Sequence, residues 1–508
     1  MTTLKLGTRR SLLAWAQSSW VAREVERLNP GLSVELVGID TRGDQILDVS
    51  LSNVDGKEFF VAELDAALKS GLVDFTVHSM KDLSLTRPPE FCLGAIPRRE
   101  NPRDAILYGP GVLEKIRVGK VLKIGTSSPR RLENIPGLLR RILPRFEGQT
   151  PKVDLVEIRG NVNTRLGRVH ERPESEKHLD GVVLAFAGLI RLWADSKARD
   201  EMIKLFQGVR WMILPLAECP TAPAQGALAV ECRTDRDEVR AALKPLHHEA
   251  TASDVETERA LLGLWGGGCH QKFGATAIRH SELGQLFWIR GRKPDEVFVE
   301  ELRWPLKPTG NGKSNPLKSV WDGTRWRGRQ VEKIKISVTP TLSGNLVFIS
   351  HARALPENWV EKLVGSRVWT SGVASWEKLA SQGVWVEGCA EGLGYDELIP
   401  TLREQVLGLG TESEWMVLTH ESAGGWSKEK VIRTYSVPSE ISREGLDELK
   451  KAHHIFWSSG SQFDHFGKYA AAKVVHACGP GKTGIRLRVA GLKPLMFPSV
   501  EEWRKWVS

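Results

Sequence analysis

LKLGTRRSLLAWAQSSWVAREVERLNPGLSVELVGID, residues 4–40, reads as strand, helix, strand. LKLGT (4–8) and SVELVGID (33–40) are short β-branched and apolar runs. Between them Leu12, Trp15, Val21, Val25 and Leu28 recur near helical spacing, with Ser11 placed to cap the helix 11–28. A second helix over 58–71 and a strand FTVHSM (75–80) continue the alternation. Strands alternating with helices predict an α/β sheet with crossover connections. Ligands of such sheets gather at the carboxyl ends of the strands. That directs attention to Thr8-Arg9, to Thr41-Arg42-Gly43-Asp44 and to Lys81-Asp82.

The pattern recurs at LKIGTSS (122–128), VDLVEIRG (153–160) and DGVVLAFAG (180–188), each followed by polar or cationic residues, which predicts a second α/β lobe facing the first. From about 226 it changes. ALAVECR reads as a strand, 236–265 as two helices broken near Ser253, and FGATAIRH, QLFWIRGR and EVFVEELRW as the strands of an α+β unit. Residues 305–344, with four prolines and unpaired basic residues, read as a linker. Beyond them NLVFIS, RVWTSG, GVWVEG, EWMVLTH, HIFWSSG and KVVHACGPG predict a further α/β unit.

The chain has 508 residues, 41% hydrophobic and 26% charged, an ordinary balance for a folded protein of several domains. Its longest apolar run, GVVLAFAGLI (181–190), is half the ~20 residues that a membrane helix needs. Six cysteines without a Cys-x-x-Cys pair do not form a disulfide framework. Arg9-Arg10 before SLLAWA is similar to a twin-arginine signal, but the apolar stretch breaks at Gln17-Ser18-Ser19 without a cleavage site, so the expected compartment is the cytoplasm. Eighteen tryptophans against four tyrosines have no explanation in the pattern.

Lys+Arg 71 less Asp+Glu 62 gives a net charge of +9, unevenly spread. Residues 101–170 hold fourteen basic against six acidic residues, and 301–340 nine against three. In the first stretch Arg130, Arg131, Arg159 and Arg165 sit among Gly, Ser, Thr and Asn. Guanidinium forks match carboxylates and phosphates bidentately. No nucleic-acid-binding signature accompanies them. A small polyanionic ligand is the expectation.

Three motifs carry candidate chemistry. HSMKD (78–82) puts a carboxylate at a strand end, able to accept a proton or steady a cation. GTSSPRR (125–131) and IRGNVNTR (158–165) set hydroxyls and arginines at helix starts, where backbone N–H groups favour anions. GGGCH (266–270) exposes a cysteine on a glycine loop, where a thiol can reach an electrophile. Cys219, Cys232 and His270 have no metal-ligand spacing, so no metal is expected. Walker, dinucleotide and nucleophile-elbow motifs are absent.

GTRRS, TRGDxILD, HSMKD, GTSSPRR, RGNVNTRL, AGLIRL, AQGALAVECR and GGGC, in this order over residues 1 to about 305, resemble the hydroxymethylbilane synthase (porphobilinogen deaminase) family. The resemblance implies two lobes like those of a periplasmic binding protein and a small α+β domain. Its boundaries here would be 1–98 with 200–222 for the first domain, 99–199 for the second and 223–305 for the third. It implies that four porphobilinogen molecules condense with loss of ammonia on a dipyrromethane cofactor tethered to Cys269 by a thioether. Asp82 would be the catalytic carboxylate. Arg9, Arg159, Arg165 and Arg191, with Ser11 and Gln225, would bind substrate carboxylates. Lys81, Asp82, Ser128, Arg130, Arg131 and Arg165 would hold the cofactor. Asn53, Ser84 and His270-Gln271-Lys272 depart from the family's usual lysine and prolines. The expected partner is porphobilinogen alone, with no nucleic acid or membrane, on a monomer.

Residues 345–508, after a linker at 306–344, more distantly resemble uroporphyrinogen III synthase through WTSG (369–372), VIRTYSV (431–437), FWSSG (456–460) and HACGPGKTG (476–484). That implies a two-lobed α/β fold that cyclises the linear tetrapyrrole, with Tyr435 as acid and Ser371, Ser459 and Thr483 at substrate carboxylates. The segment is shorter than is usual in that family. Other readings of the chain are a deaminase with a degenerate C-terminal domain, and a solute-binding module. Cys269 and Asp82 argue against the latter, since a receptor needs neither.

Overall fold

Ser11 caps its helix as expected: its hydroxyl accepts from Ala14 N at the start of Leu12–Leu28. The structure is a computed structural model and describes residues 2–41, 61–267, 271–305, 320–323, 332–334, 341–342, 346–426, 428–436 and 440–508. By internal contacts the chain divides into two units. The first is Met1–Arg140 with Thr150–Ile278 and Phe287–Arg303; the second is Arg141–Gln149 with Arg279–Leu286 and Trp304–Ser508.

The first unit holds two five-stranded sheets of the same design. In one, the strands lie in the order Leu32–Ile39, Thr2–Arg9, Phe75–Ser79, Leu228–Arg233, Phe91–Ala95. In the other the order is Val153–Glu157, Leu122–Thr126, Gly181–Ala185, Asp104–Tyr108, Arg210–Ile213. Each begins with three parallel strands, and the fourth runs antiparallel to both its neighbours. In both sheets that antiparallel strand has just arrived from the other sheet. The chain crosses once between Ala95 and Asp104 and returns between Ile213 and Leu228.

This corrects the expected boundaries. Arg210–Ile213 pairs with Asp104–Tyr108, so the segment 200–222 contributes to the second sheet rather than the first. Leu228–Arg233 completes the first sheet rather than the third domain. The physical reason is edge closure: each returning strand satisfies backbone groups that its sheet would otherwise leave bare. The apolar core of the first sheet includes Leu6, Val21, Val25, Phe75, Leu228 and Val230.

A three-stranded antiparallel sheet, Phe273–His280, Gly284–Arg292 and Phe298–Arg303, follows the helices Asp237–Leu243 and Glu249–Leu264. The helix break falls at Lys244–His248, not near Ser253. Pro245 ends the first helix in a short 3-10 turn, and the His248 ring caps the second by accepting from Thr251 N. Phe186, expected in a strand, begins the helix Phe186–Ala194.

The second unit has two further sheets. One has six strands centred on Leu346–Ile349, with parallel neighbours Arg367–Thr370 and Met416–His420. The other has four parallel strands: Val320–Asp322, His454–Trp457, Val475–Cys478 and Leu495–Met496. The expected linker therefore supplies structure. Val320–Asp322 extends the four-stranded sheet and Glu332–Lys333 pairs with Lys430–Ser436 in the other. The unit accordingly starts well before residue 345 and has two α/β lobes. Its largest fully buried side chains are Trp321, Trp369, Trp376, Trp415, Trp457 and Trp503, which accounts for part of the tryptophan excess. Among the described residues no helix is long and apolar enough to cross a membrane.

Candidate active site

The strand Phe75–Ser79 ends in a single 3-10 turn, Met80–Asp82. Met80 is buried and its N–H donates to Ala227 O, while Asp82 is exposed. The turn is held from a distant part of the chain. Arg259, on the helix Glu249–Leu264, donates to the carbonyls of Met80, Leu83 and Ser84 at 3.1, 3.1 and 2.8 Å. Below it, Gln17 donates from Nε2 to the Ser79 hydroxyl at 3.1 Å.

The helix that carries Arg259 ends at Leu264, and Gly266 and Gly267 follow with φ of 89° and 61°. Two successive left-handed residues require glycine. The Gln271 amide closes this stem by donating to Gly267 O at 2.9 Å. A Cβ on Gly267 would lie 3.4 Å from Leu85, three residues beyond Asp82. The loop stem and the Asp82 turn are thus neighbours. Cys269 itself, with Gly268 and His270, lies outside the described residues, as do Arg42–Asp44 and Asn53.

Lys81 and Arg165 lie within electrostatic reach of Asp82. Burial pushes the Lys81 ammonium below its ordinary value; Asp82 opposes this, and Arg131 and Arg130 add to it. Burial likewise pushes Arg165 down to about 10, helped by Arg131, Arg159 and Arg168 and opposed by Asp82. Residues from both five-stranded sheets therefore share one electrostatic site. Arg165 also donates from Nε to Gly160 O at 2.6 Å and from Nη1 to the Ser127 hydroxyl at 3.0 Å. Arg159 pairs with Glu157 at 3.2 Å on the rim. Ser128 lies just before the helix Pro129–Ile142 and its carbonyl accepts from Arg131 N. Arg9 ends the strand Thr2–Arg9, half-buried, within electrostatic reach of His78.

Four expected ligand-binding residues, Arg130, Arg131, Gln225 and Arg191, are engaged within the protein; Arg131 spends Nε and Nη2 on Asp104 and Nη1 on Val183 O at 2.9 Å. Asp104 is fully buried, with Arg130 at 2.9 Å on one oxygen and Arg131 at 2.8 Å on the other. Burial disfavours its charge, yet the two guanidiniums outweigh that and hold the carboxyl well below the usual range. Gln225, also buried, donates to Asp104 and to Pro102 O at 2.9 and 2.8 Å. Arg191 donates to Gly226 O at 2.6 Å, and burial pushes it down to about 10. Arg130, Gln225 and Arg191 thus brace the segments where the chain crosses between sheets. Arg130 Nε remains buried without a hydrogen-bond partner among the described residues.

Asp65, His78 and Glu231 bring ligand-type atoms together, but Arg87 bridges Asp65 and Glu231 at 2.6 and 2.9 Å. Burial, with Arg87 and Arg9, lowers His78 to about 3. The cluster is a neutral histidine beside a guanidinium sandwich.

The sequence reading missed Arg168, Asp104 and Arg259. Arg168 had a signal, lying three residues past Arg165 on one helical face. Asp104 and Arg259 act across more than twenty and more than 170 residues and had none.

In the second unit Tyr435, Ser371, Ser459 and Thr483 all line one cavity of about 560 Å³. Tyr435 is buried in the strand Lys430–Ser436, and Ser459 caps the helix Gly460–Phe466 through Gln462 N.

A family model described as porphobilinogen deaminase, dipyromethane cofactor binding domain, matches residues 4–241. The porphobilinogen deaminase of Syntrophotalea carbinolica is 42% identical over 276 residues, 54% of this chain and 78% of that protein. That of Listeria monocytogenes is 36% identical over 309 residues, 60% of this chain and 91% of that protein. Among solved structures, the methionine binding protein MetQ covers 51% of this chain and 94% of its own at 12% identity, with a TM-score of 0.27, too slight a likeness to carry weight.

Proposed function

The chain belongs to the porphobilinogen deaminase family, and from that premise we propose that its first unit condenses four porphobilinogen molecules head to tail, releasing ammonia, to give hydroxymethylbilane. The observation that carries this reading is one exposed carboxylate, Asp82, next to Lys81 and within electrostatic reach of Arg165, beside the stem of the Cys269 loop.

The site fits a polycarboxylate cofactor. Each pyrrole of this chemistry bears two carboxylates, and around Asp82 the cluster offers Lys81, Arg165 and their arginine neighbours to that one exposed anion. Dipyrromethane, tethered through Cys269, supplies the pyrrole terminus to which rings are added. Lys81 and Arg165, with Ser128, would hold carboxylates on the cofactor side, beside the buried Arg131–Asp104 pair; Arg159 and Arg9 would meet the incoming substrate. Charge-assisted hydrogen bonds of this kind contribute about 1.5–3 kcal/mol each. As ammonia leaves the substrate's aminomethyl carbon, positive charge spreads to the ring nitrogen, and the Asp82 carboxylate steadies it. Asp82 would also accept the proton displaced when the substrate's methylene carbon forms the new carbon–carbon bond. Arg130 and Gln225 act through Asp104, by fixing the crossing segments.

For the second unit we propose uroporphyrinogen III synthase activity. It rests on the four expected residues lining one cavity. Tyr435 donates the proton with which the terminal hydroxyl leaves as water, and the cavity holds the two ends together so that closure is intramolecular. The test is the product formed by the full-length chain from porphobilinogen. Isomer III in the wild type and isomer I in Tyr435→Phe support it. Isomer I from the wild type means that this unit is not a synthase, and the first unit's reading stands alone.

A further inference from the structure

The cavity of the second unit contains a buried ammonium that makes no hydrogen bond among the described residues. Gly481 has φ +83° and the helix Lys482–Val489 starts directly after it, which brings Lys482 into the cavity wall. The Lys482 Nζ is buried and makes no hydrogen bond among the described residues. It sits 2.9 Å from the centroid of the Trp426 ring and 5.9 Å from that of Tyr395, two rings packed edge to face with centroids 4.9 Å apart. Asp396 and Glu429 attract it electrostatically, but burial outweighs them and pushes the ammonium down to about 8.

An ammonium stripped of water is costly unless hydrogen-bonded, and a ring face replaces only part of its hydration. The other cations of this cavity are better placed. Arg486 is paired with Asp464 at 2.7 Å, and Arg353 is exposed. Tyr435, Ser459 and Thr483 line the same cavity.

We propose that Lys482 is the anion anchor of this cavity, taking one carboxylate of a ligand that bears several. The aromatic corner of Trp426 and Tyr395 keeps water from Nζ until the carboxylate arrives, so the contact forms in a dry environment where a charge pair is strong. This deepens the synthase reading of the second unit and rests on it only for the identity of the ligand.

The test uses the full-length holoenzyme, with uroporphyrin III, an octacarboxylate, as probe in calorimetric titration. Wild type, Lys482→Met and Lys482→Arg are compared, alongside melting temperature and the isomer formed from porphobilinogen. K482M is expected to lose uroporphyrin affinity about tenfold or more, while K482R keeps most of it. Because the cost of burying the native ammonium outweighs its ring and charge contacts, K482M is expected to melt no lower than wild type. Unchanged affinity in K482M overturns the proposal; if its melting point also falls, the lysine is a structural cation–π contact. The two readings separate cleanly. Weakened uroporphyrin binding in K482M with only isomer I from the wild type keeps the anchor and removes the synthase. Full isomer III production with unchanged binding in K482M keeps the synthase and removes the anchor.

Discussion

Asp82 and Asp104 are both carboxylates beside arginines, and their surroundings give them opposite work. Asp82 is exposed on a short turn, so its charge is available to a ligand. Asp104 is enclosed by Arg130, Arg131 and Gln225, so its charge is spent within the protein. Asp82→Asn should keep its cofactor, seen as the pyrrole chromophore, yet lose roughly 10²–10⁴ in turnover; activity within tenfold of wild type excludes the role. Asp104→Asn should instead cost about 3–5 kcal/mol in urea unfolding, because it leaves buried guanidiniums uncompensated. The acid dependence has a definite sign. The folded Asp104 carboxyl is depressed, so its contribution is complete above the unfolded value of 3.8 and is lost as pH falls below it. The gap in urea midpoint between wild type and D104N should narrow there. Sequence alone could nominate Lys81, Asp82 and the arginines because each follows a strand in a short motif. It could not divide them into ligand-facing and internally paired groups, since the dividing residue, Asp104, lies in an unremarkable strand.

The helix Glu249–Leu264 links two parts of the site at element scale. Arg259 grips the Asp82 turn, and the next turns lead into the glycine stem of the Cys269 loop. A loosened turn moves the carboxylate without removing it. Arg259→Met should therefore lower kcat about tenfold or more with KM and cofactor content little changed; a change in KM alone would mean that Arg259 meets substrate instead. Regular elements were legible where apolar spacing was long, as in Leu12–Leu28 and the first three strands. The short ones were not. Three residues, Val320–Asp322, sit in a basic, proline-rich stretch, and only Trp321 marks their burial. Its ring is fully buried and Nε1 donates to Gly445 O at 3.1 Å. Trp321→Ala should destabilise the second unit by about 3–5 kcal/mol in thermal unfolding, whereas a solvent-exposed linker would tolerate it.

At the scale of the whole molecule, the two exchanged strands of the first unit decide where function sits. They carry the chain twice between the sheets, and Asp104 and Gln225, one from each crossing segment, meet there at 2.9 Å. Sequence could give the alternation but not the exchange, because pairing across more than a hundred residues leaves no local pattern. The exchange ties the two sheets together so that Asp82, from one, lies within electrostatic reach of Arg165, from the other. The proposed condensation depends on a primer tethered to Cys269. Intact-protein mass spectrometry with peptide mapping tests this most directly: the purified wild-type chain should carry a dipyrromethane-sized addition on Cys269 that Cys269→Ser lacks. An unmodified wild-type chain from cells well supplied with porphobilinogen, or the same addition on C269S, would contradict it.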